Sequence, residues 1–474
     1  MKNADAVLNR FATPDHVKQR ELRVGDRAGF LMFSGELCNS QFITYAIKAL
    51  KGADNFGGLE DISRDYLNTP ETSVLETADE AVDAILMGDA VLAVEGLEGW
   101  LVIDVKTWDK RGVAEPPTET VTRGPREGFI EDIKTNLSLL ARRLRTPKFA
   151  VKRLKVGRLS ATNIAIAYIE GVAESRIVDI VEKKLNAVDI DYVGDSYYIL
   201  QFLEERPLSV FKQVGFSEKA DVVAAKLAEG RVAVIVDGSP MVLTVPFLLV
   251  EDFQSAEDYY ERSQSALMVR IVRYIAVILA VVLPGLYVAV SVYHFEIIPL
   301  NFLVNWLISV QGLPFPPLVE MLFLMLLFEI LREASIRLPR AVGMTMGILA
   351  ALVLGEAAMI SGLISPPTVM LVALSSLALY TVPNQVNTFS LLRIAFTVAG
   401  GIAGLYGILI GVVAVVAYLA ALDTYFTPYL APFAPLVWDD LKDAIGRAPL
   451  GELTTRPESI PHKNRRRQRG ADKV

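Results

Sequence analysis

Tyr274–Tyr293 reads YIAVILAVVLPGLYVAVSVY and contains no charged residue. A helix needs about 20 apolar residues to cross the roughly 30 Å of hydrocarbon in a bilayer. The pattern recurs, because Ala341–Ile364 contains one charged residue, Glu356, and both Pro366–Val382 and Ile394–Leu422 contain none. A buried core helix is the alternative for one such run, but several runs together favour a membrane domain in the C-terminal half.

Charged residues divide the 474-residue chain into two parts. They are frequent before Arg273 and sparse from there to Leu422, so the hydrophobic fraction of 52% averages two kinds of material. Met1–Ser40 is charged and lacks the apolar segment of a secretory signal, which predicts a cytoplasmic N-terminal half. The net charge of −7 argues against nucleic acid as a partner.

Two segments of the N-terminal half resemble each other at a separation of 142 residues. Ala78–Gly96 reads ADEAVDAILMGDAVLAVEG, and Ala220–Gly238 reads ADVVAAKLAEGRVAVIVDG. Each pattern is typical of an amphipathic helix, a glycine stop and an apolar strand, and a second apolar run follows each across a hairpin turn. With matching strand and helix patterns upstream, this predicts two related subdomains. Chance similarity between generic α/β patterns is the alternative.

The predicted fold class is an α/β N-terminal half made of two related subdomains, followed by an all-α domain with several transmembrane helices. Four regions follow. They are a first α/β subdomain at 1–120, a basic helical connector with a second α/β subdomain at 121–262, a transmembrane domain at 263–438 and a basic, disordered tail at 439–474. The connector helix is either solvated or packs between subunits.

No catalytic or metal-binding pattern is recognisable. The sequence has no P-loop, no GxGxxG after a strand, no HExxH and no GxSxG. Cys38 is the single cysteine, and the three histidines are scattered. We therefore predict no enzymatic activity, no cofactor and no metal site. The acidic run from Glu251 to Glu261 lacks the spacing of a calcium loop, and we interpret it as a solvated linker.

The placement of Lys and Arg sets the orientation of the apolar runs. Basic residues up to Arg273 and around Arg337 place the start of the first run and the end of the second in the cytoplasm. Five spans would leave the C-terminus outside, whereas the basic residues from Lys463 onward favour the inside. As one helix, Ile394–Leu422 would be about 43 Å long, so it tilts, protrudes or breaks. The number of spans stays open between five and six.

Acidic residues within the apolar runs are the candidate functional residues, because each costs several kcal/mol if it faces lipid. Glu329 can pair with Arg332, and Glu333 with Arg337, at helical spacing. We predict that these four residues and Glu320 form a gating or interface region.

Glu356 has no basic residue within a turn or two of helix. It is either buried and protonated or it lines a water-filled path, and we prefer the second reading. Thr345, on the same run, is assigned to this ion pathway. A ring of Glu in an oligomer would favour cations.

Small residues recur every four positions on the same run, which lets helices approach closely. Packing within one subunit and assembly between subunits both remain open. The predicted packing residues are Gly343, Gly347 and Gly355. The spacing recurs in the last apolar run at Gly400 with Gly404 and at Gly407 with Gly411.

Several long segments, in order along most of the chain, resemble the GerA family, the A subunits of spore germinant receptors. They are RGPREGFIEDIKTNL from Arg123, AYIEGVA from Ala167, LAEGRVAVIVDGSP from Leu227, FQSAEDYYER from Phe253, LPGLYVAVSVYHFEIIP from Leu283, LPFPPLVE from Leu313, FEILREASIRLP from Phe328 and PYLAPFAP from Pro428. The chain departs from the family pattern at Phe211–Asp221, where it reads FKQVGFSEKAD.

The resemblance implies an inner-membrane protein of bacterial spores with a cytoplasmic N-terminal domain. It implies a pentameric, ligand-gated channel for monovalent cations that works with a transporter-like B subunit and a lipoprotein C subunit. A sporulation-stage paralogue similar to stage V sporulation protein AF shares the same pattern. A secondary transporter and a scaffold without a conduction path are the alternatives from other classes.

Overall fold

The computed structural model describes residues 2–11, 17–67, 72–105, 116, 119–338 and 355–468. The N-terminal half contains two five-stranded antiparallel sheets. Helices cover both faces of each sheet, and the apolar helices follow. The α/β prediction for this half is therefore confirmed.

The first sheet has the strand order β1-β2-β4-β5-β3. Helices α1 and α4 pack on one face, and α2 and α3 on the other. The elements are α1 Lys2–Leu8, β1 Val17–Val24, β2 Arg27–Ser34, α2 Ser40–Lys51, α3 Leu59–Tyr66, β3 Thr72–Leu75, α4 Ala78–Leu86, β4 Ala90–Val94 and β5 Trp100–Ile103.

The second sheet repeats this order as β6-β7-β9-β10-β8, with α5 and α8 on one face and α6 and α7 on the other. The elements are α5 Ile133–Arg143, β6 Phe149–Val156, β7 Thr162–Ile169, α6 Ser175–Asn186, α7 Ser196–Leu203, β8 Gly215–Ser217, α8 Ala220–Glu229, β9 Val232–Val236 and β10 Val242–Val245. Strands β4 and β5 thus begin 142 residues before β9 and β10, the separation found in the sequence.

Glycines mark the same backbone turns in both sheets. Gly88 and Gly230 follow the corresponding helices with φ of 95° and 109°, and Gly96 and Gly238 begin the hairpins with φ of 83° and 87°. This left-handed region is accessible to glycine at little cost. The shared glycines therefore reflect a shared backbone path.

The connector helix α5 belongs to the second sheet. Leu137 and Leu140 are buried in one cluster with Leu227 of α8. Helix α5 thus covers the face that corresponds to the one under α1 and α4 in the first sheet. This packing within the chain differs from a solvated helix, and packing of the segment between subunits stays a prediction.

The C-terminal half contains α9 Ser263–Tyr293, α10 Leu300–Val310, α11 Pro317–Arg337, α12 at 355–360, α13 Pro366–Leu379 and α14 Val386–Ala420. Among the described residues, two helical segments are long and apolar enough to cross a membrane, Ser263–Tyr293 and Pro383–Ala420. Helices α10 and α13 are apolar but have only 11 and 14 residues. The count of five or six spans stays a prediction.

Helix α14 folds back on itself at Gly404, where φ is 60° and ψ is −144°. A Cβ on Gly411 would lie 3.0 Å from the Phe396 ring, although 15 residues separate them in sequence. In a straight helix these residues would be about 22 Å apart. The two arms, 386–403 and 405–420, are about 27 and 24 Å long at 1.5 Å per residue. The long last run was expected to tilt, to protrude or to break, and the structure shows a break.

Both arms of α14 end against the second α/β subdomain. Thr388 at one end donates a hydrogen bond to the Val210 carbonyl at 2.6 Å. Leu419 and Leu422 at the other end are buried with Phe211. The hairpin therefore returns the chain to the side on which it began, so the C-terminal segment lies beside the N-terminal domain.

The C-terminal segment packs on the second subdomain up to residue 468, which differs from the predicted disordered tail. The Lys463 amide donates to the Val172 carbonyl at 2.9 Å, and Arg456 Nε donates to the Ala228 carbonyl at 2.7 Å. Ile460 is buried in a cluster with Leu248. A charged composition misled the prediction because these basic side chains find carbonyl and carboxylate partners.

Candidate ion pathway and gating residues

Glu320 lies in the first turn of α11 and is 1% exposed. Its carboxylate accepts hydrogen bonds from the backbone amide and from the hydroxyl of Ser365, the latter at 2.7 Å. Ser365 immediately precedes α13, so the negative charge sits at the positive end of that helix dipole. Glu320 therefore fixes α11 to the start of α13.

Hydroxyl groups extend this contact to two further helices. Ser365 and Thr368 hydroxyls lie 2.9 Å apart, and Thr368 donates to the Tyr287 hydroxyl at 3.5 Å. The same hydroxyl accepts from Trp306 Nε1 at 3.1 Å. A polar network thus joins α9, α10, α11 and α13 in an otherwise apolar region.

Arg393 lies in the first arm of α14 and is 2% exposed. Its Nη1 donates to the hydroxyls of Ser375 and Ser376, at 3.2 and 3.0 Å, near the C-terminal end of α13. Ser375 in turn donates to the Ala280 carbonyl of α9 at 2.8 Å. Arg393 Nε has no hydrogen-bond partner among the described residues. The guanidinium is thus held by hydroxyls and by the negative end of a helix dipole.

Glu329 and Arg332 form the predicted ion pair within α11. Glu329 also accepts from Ser390 at 3.4 Å, one turn before Arg393, and Arg332 donates to Asn387 at 3.2 Å. The pair therefore faces the first arm of α14.

Glu333 and Arg337 also pair, at 2.8 Å from Nε to Oε1, on an exposed part of α11. Because both side chains are largely solvated, this pair contributes little to stability. The structure thus separates the four residues into a partly buried pair at a helix contact and an exposed pair.

Glu356 is exposed at the described end of α12. Gly355 beside it faces α13, where an added Cβ would lie 4.0 Å from Val369 Cγ1. Thr345, Gly343 and Gly347 lie outside the described residues. The pathway and packing assigned to this run therefore stay a prediction.

A close helix approach in the described part of the membrane region joins α9 and α14. A Cβ on Gly285 would lie 2.7 Å from the Phe396 carbonyl carbon, and one on Gly400 would lie 3.3 Å from Gly285 Cα. A Cβ on Gly401 would lie 2.7 Å from Leu318 Cδ1 of α11. The small residues of the last run thus allow α9, α11 and α14 to pack closely.

Buried ion pairs connect the second subdomain to the base of α9. Arg270, 0% exposed, pairs with Asp258 at 2.7 Å and with Asp443 of the C-terminal segment at 3.1 Å. Arg273 pairs with Asp258 at 2.8 Å. Burial raises the pKa of Asp258, but the hydrogen bonds from Arg273 and Arg270 outweigh it and lower the pKa overall. Three separate parts of the chain therefore meet at this charge cluster.

A second charged contact lies beside the start of α14. Lys212 pairs with Asp252 at 2.7 Å, and Asp252 accepts from Gln385 Nε2 at 2.8 Å. The Lys212 ammonium lies 4.6 and 4.4 Å from the ring centres of Phe216 and Phe247. The segment that departs from the family pattern thus builds a joint between the α/β domain and the helices.

The acidic run from Glu251 is not a solvated linker. Glu251, Asp252 and Asp258 are all buried. Glu251 pairs with Arg231 at 3.0 Å and with Lys226 at 2.8 Å. Burial alone would raise the pKa of Glu251, but these two cations lower it to about 2. The run holds structural ion pairs, which differs from the solvated linker expected from the sequence. The one available signal was its position just before Arg270 and Arg273.

The fold and these contacts define a membrane-associated protein in which an α/β domain is joined through ion pairs to apolar helices. The described residues contain no group of His, Cys, Asp and Glu side chains that could hold a metal ion. The chain belongs to the GerA family, since the model for the Bacillus/Clostridium GerA spore germination protein matches residues 5–459.

Spore germination proteins of two Bacillus species agree with this assignment. Spore germination protein KA of Bacillus subtilis is 34% identical over 98% of this chain and 88% of its own length. Spore germination protein GerLA of Bacillus cereus is 35% identical over 84% of this chain and 82% of its own. The crystal structure of the N-terminal domain of the A subunit of the Bacillus megaterium spore germinant receptor GerK3 matches 52% of this chain and 93% of that one, with 22% identity and a TM-score of 0.37.

Proposed function

We propose that this chain is the A subunit of a nutrient germinant receptor in the inner membrane of spores. In this role it forms an oligomeric, ligand-gated cation channel that triggers germination. The observation that carries the proposal is the GerA family match over residues 5–459. The partners are the B and C subunits of the receptor, further copies of this chain and monovalent cations.

The ion pathway in this proposal runs along the apolar segment Ala341–Ile364. Glu356 is exposed in the single chain, so its carboxylate is free to face a pore shared between copies. Several such carboxylates around one axis would attract cations and repel anions. Thr345 adds a hydroxyl on the same segment.

The gate in this proposal uses Glu329. It pairs with Arg332 in the present conformation. It also accepts from Ser390, which lies one turn from Arg393, and the Arg393 guanidinium is held by hydroxyls. We assign the Glu329–Arg332 pair to the closed state and a Glu329–Arg393 pair to the open state. A partner that binds nutrient shifts the population only by favouring one of these packings.

Reconstitution tests the proposal. Particle images in detergent report the oligomeric state, and a pentamer supports a pore on the subunit axis, whereas a monomer contradicts it. Ion flux into vesicles that contain the receptor subunits separates the classes. A channel passes ions rapidly and without coupling to a second solute, a secondary transporter is slower and saturates, and a scaffold passes nothing.

A further inference from the structure

A turn at Phe433–Trp438 exposes apolar side chains beside the base of α9. Leu436 is 52% exposed and Trp438 is 75% exposed. The turn itself is anchored, since the Phe433 ring packs edge-on against Tyr274 with 6.3 Å between ring centres. Such large apolar groups held outward by a fixed backbone indicate a contact surface.

The level of this turn along α9 identifies its environment. Helix α9 has 31 residues, about 46 Å at 1.5 Å per residue, which exceeds the roughly 30 Å hydrocarbon core. The uncharged run begins at Tyr274, directly after Arg273. The C-terminal segment contacts α9 from Leu267, which faces Gly446, to Tyr274, which donates to the Ala444 carbonyl at 3.1 Å. The segment therefore lies at the height of the lipid headgroups.

The backbone of the turn suits a region poor in water. The amides of Phe433 and Ala434 both donate to the Leu430 carbonyl, at 3.0 and 3.2 Å, and the Val437 amide donates to the Pro432 carbonyl at 2.9 Å. Pro432 and Pro435 carry no amide hydrogen. Unpaired backbone groups are costly in lipid, and these hydrogen bonds pair three amides of the turn.

Helix α9 also carries exposed apolar side chains at the level of its contacts with the C-terminal segment. They are Leu267, Met268, Ile271 and Ile275. We therefore expect the same environment to cover the exposed side chains of the turn and this face of α9.

We propose that Phe433–Trp438 is an interfacial anchor that inserts Leu436 and Trp438 into the lipid headgroup region, on the side of the α/β domain. Tryptophan is enriched at this level of membrane proteins because its ring is apolar and its N–H is polar. The anchor fixes the C-terminal segment, and through Asp443 and Arg270 the base of α9, relative to the membrane surface. It rests on the proposed membrane embedding.

The fluorescence of Trp438 reports the environment of its own ring. The full chain and its Trp438→Phe variant are reconstituted into phosphatidylcholine vesicles that contain lipid brominated near the headgroup end of the acyl chains. The difference between their emission spectra isolates the Trp438 signal. We expect the brominated lipid to remove most of this signal and aqueous iodide to affect it little. A Trp100→Phe variant is the control, because Trp100 is buried in the first sheet and its loss should leave the lipid-quenched component unchanged.

Two results would contradict the proposal that this turn is an interfacial anchor. Quenching of the Trp438 signal by iodide alone places the ring in water, and quenching by neither agent places it against another protein surface. Flotation of the vesicles distinguishes this failure from that of the proposed function. A chain that floats with the lipid but lacks bromine quenching disproves only the anchor, whereas a chain that does not float disproves membrane embedding as well.

Discussion

Glu320 and Arg393 hold opposite ends of the same helix, α13, from two different neighbouring helices. The carboxylate meets the amide and hydroxyl of Ser365 just before the helix, and the guanidinium meets Ser375 and Ser376 near its end. Helix α13 has 14 residues, about 21 Å, which is shorter than a roughly 30 Å hydrocarbon core. Each charge complements the partial charge of the nearby helix end. Two charges that lipid would reject thereby acquire a structural role.

Replacement of Glu320 by Gln should destabilise the helical domain, because the buried Ser365 amide would lose a charged acceptor. We expect a loss of about 1–3 kcal/mol, measured by thermal unfolding in detergent. Glu333→Gln is the matched control on the same helix, with an expected change of less than about 0.5 kcal/mol, since its pair is solvated. Equal effects of the two changes would contradict a structural role for Glu320.

Because Glu329 is proposed to exchange Arg332 for Arg393 when the channel opens, Arg332→Gln should change gating. Without Arg332, Glu329 is released toward Arg393, so ion flux without nutrient should rise. Stopped-flow cation uptake by receptor-containing vesicles measures this flux. Arg337→Gln removes the exposed partner of Glu333 and should leave it unchanged. A lower flux for Arg332→Gln would reverse the assignment of the two states.

Any side chain at Gly404 should lower the stability of the helical domain. Its φ of 60° with ψ of −144° is accessible essentially to glycine alone, and an added Cβ would lie 3.0 Å from His294 Nε2. We expect Gly404→Ala to cost about 1–3 kcal/mol in thermal unfolding. Gly355→Ala, where the nearest atom is 4.0 Å away, should cost far less. An unperturbed Gly404→Ala variant would argue against the hairpin.

The hairpin also predicts that both termini lie on one side of the membrane. The single native cysteine, Cys38, is buried, and burial raises the pKa of its thiol to about 12, so it should react slowly. Asp26→Cys and Arg466→Cys variants should therefore react with an impermeant maleimide from the same side of oriented vesicles. Labelling from opposite sides would contradict this prediction and would indicate an odd number of spans, such as five.

Acid should weaken the α/β domain through Glu251. Its pKa is about 2 in the folded chain and 4.5 without these contacts. The stabilisation is thus fully present above pH 4.5 and is lost as the pH falls toward 2, with a magnitude of about 3 kcal/mol. Unfolding curves between pH 7 and pH 3 should show less acid sensitivity for Glu251→Gln than for the parent. Asp189→Asn, which removes an exposed pair with Arg158, should not change that sensitivity.

The sequence predicted the features that depend on local pattern. The separation between Ala78 and Ala220 located two helices, four strands and their glycine turns, because period and turn chemistry are local properties. The edge strands escaped prediction. Strands β3 and β8 have four residues or fewer and pair only with a distant partner. In β1 and β6, charged residues interrupt the apolar pattern.

The long-range charge contacts could not be predicted for a related reason. The one local signal was the position of Arg270 and Arg273 shortly after Asp258, and nothing near Asp258 in the sequence indicates that a segment containing Asp443 joins them. The same holds for Arg393, whose partners lie on another helix. Charge runs resemble solvated surface until tertiary packing supplies their partners.

The reversal potential of nutrient-dependent currents reports whether the protein forms a cation pore lined by Glu356. The receptor subunits, with either the parent chain or its Glu356→Gln variant, are placed in a planar bilayer under a salt gradient, and nutrient is added. We expect nutrient-dependent currents whose reversal potential lies near the cation equilibrium potential in the parent and shifts toward zero in the variant. Currents with unchanged selectivity in the variant would remove Glu356 from the pore. The absence of any nutrient-dependent current in the parent would contradict the channel itself.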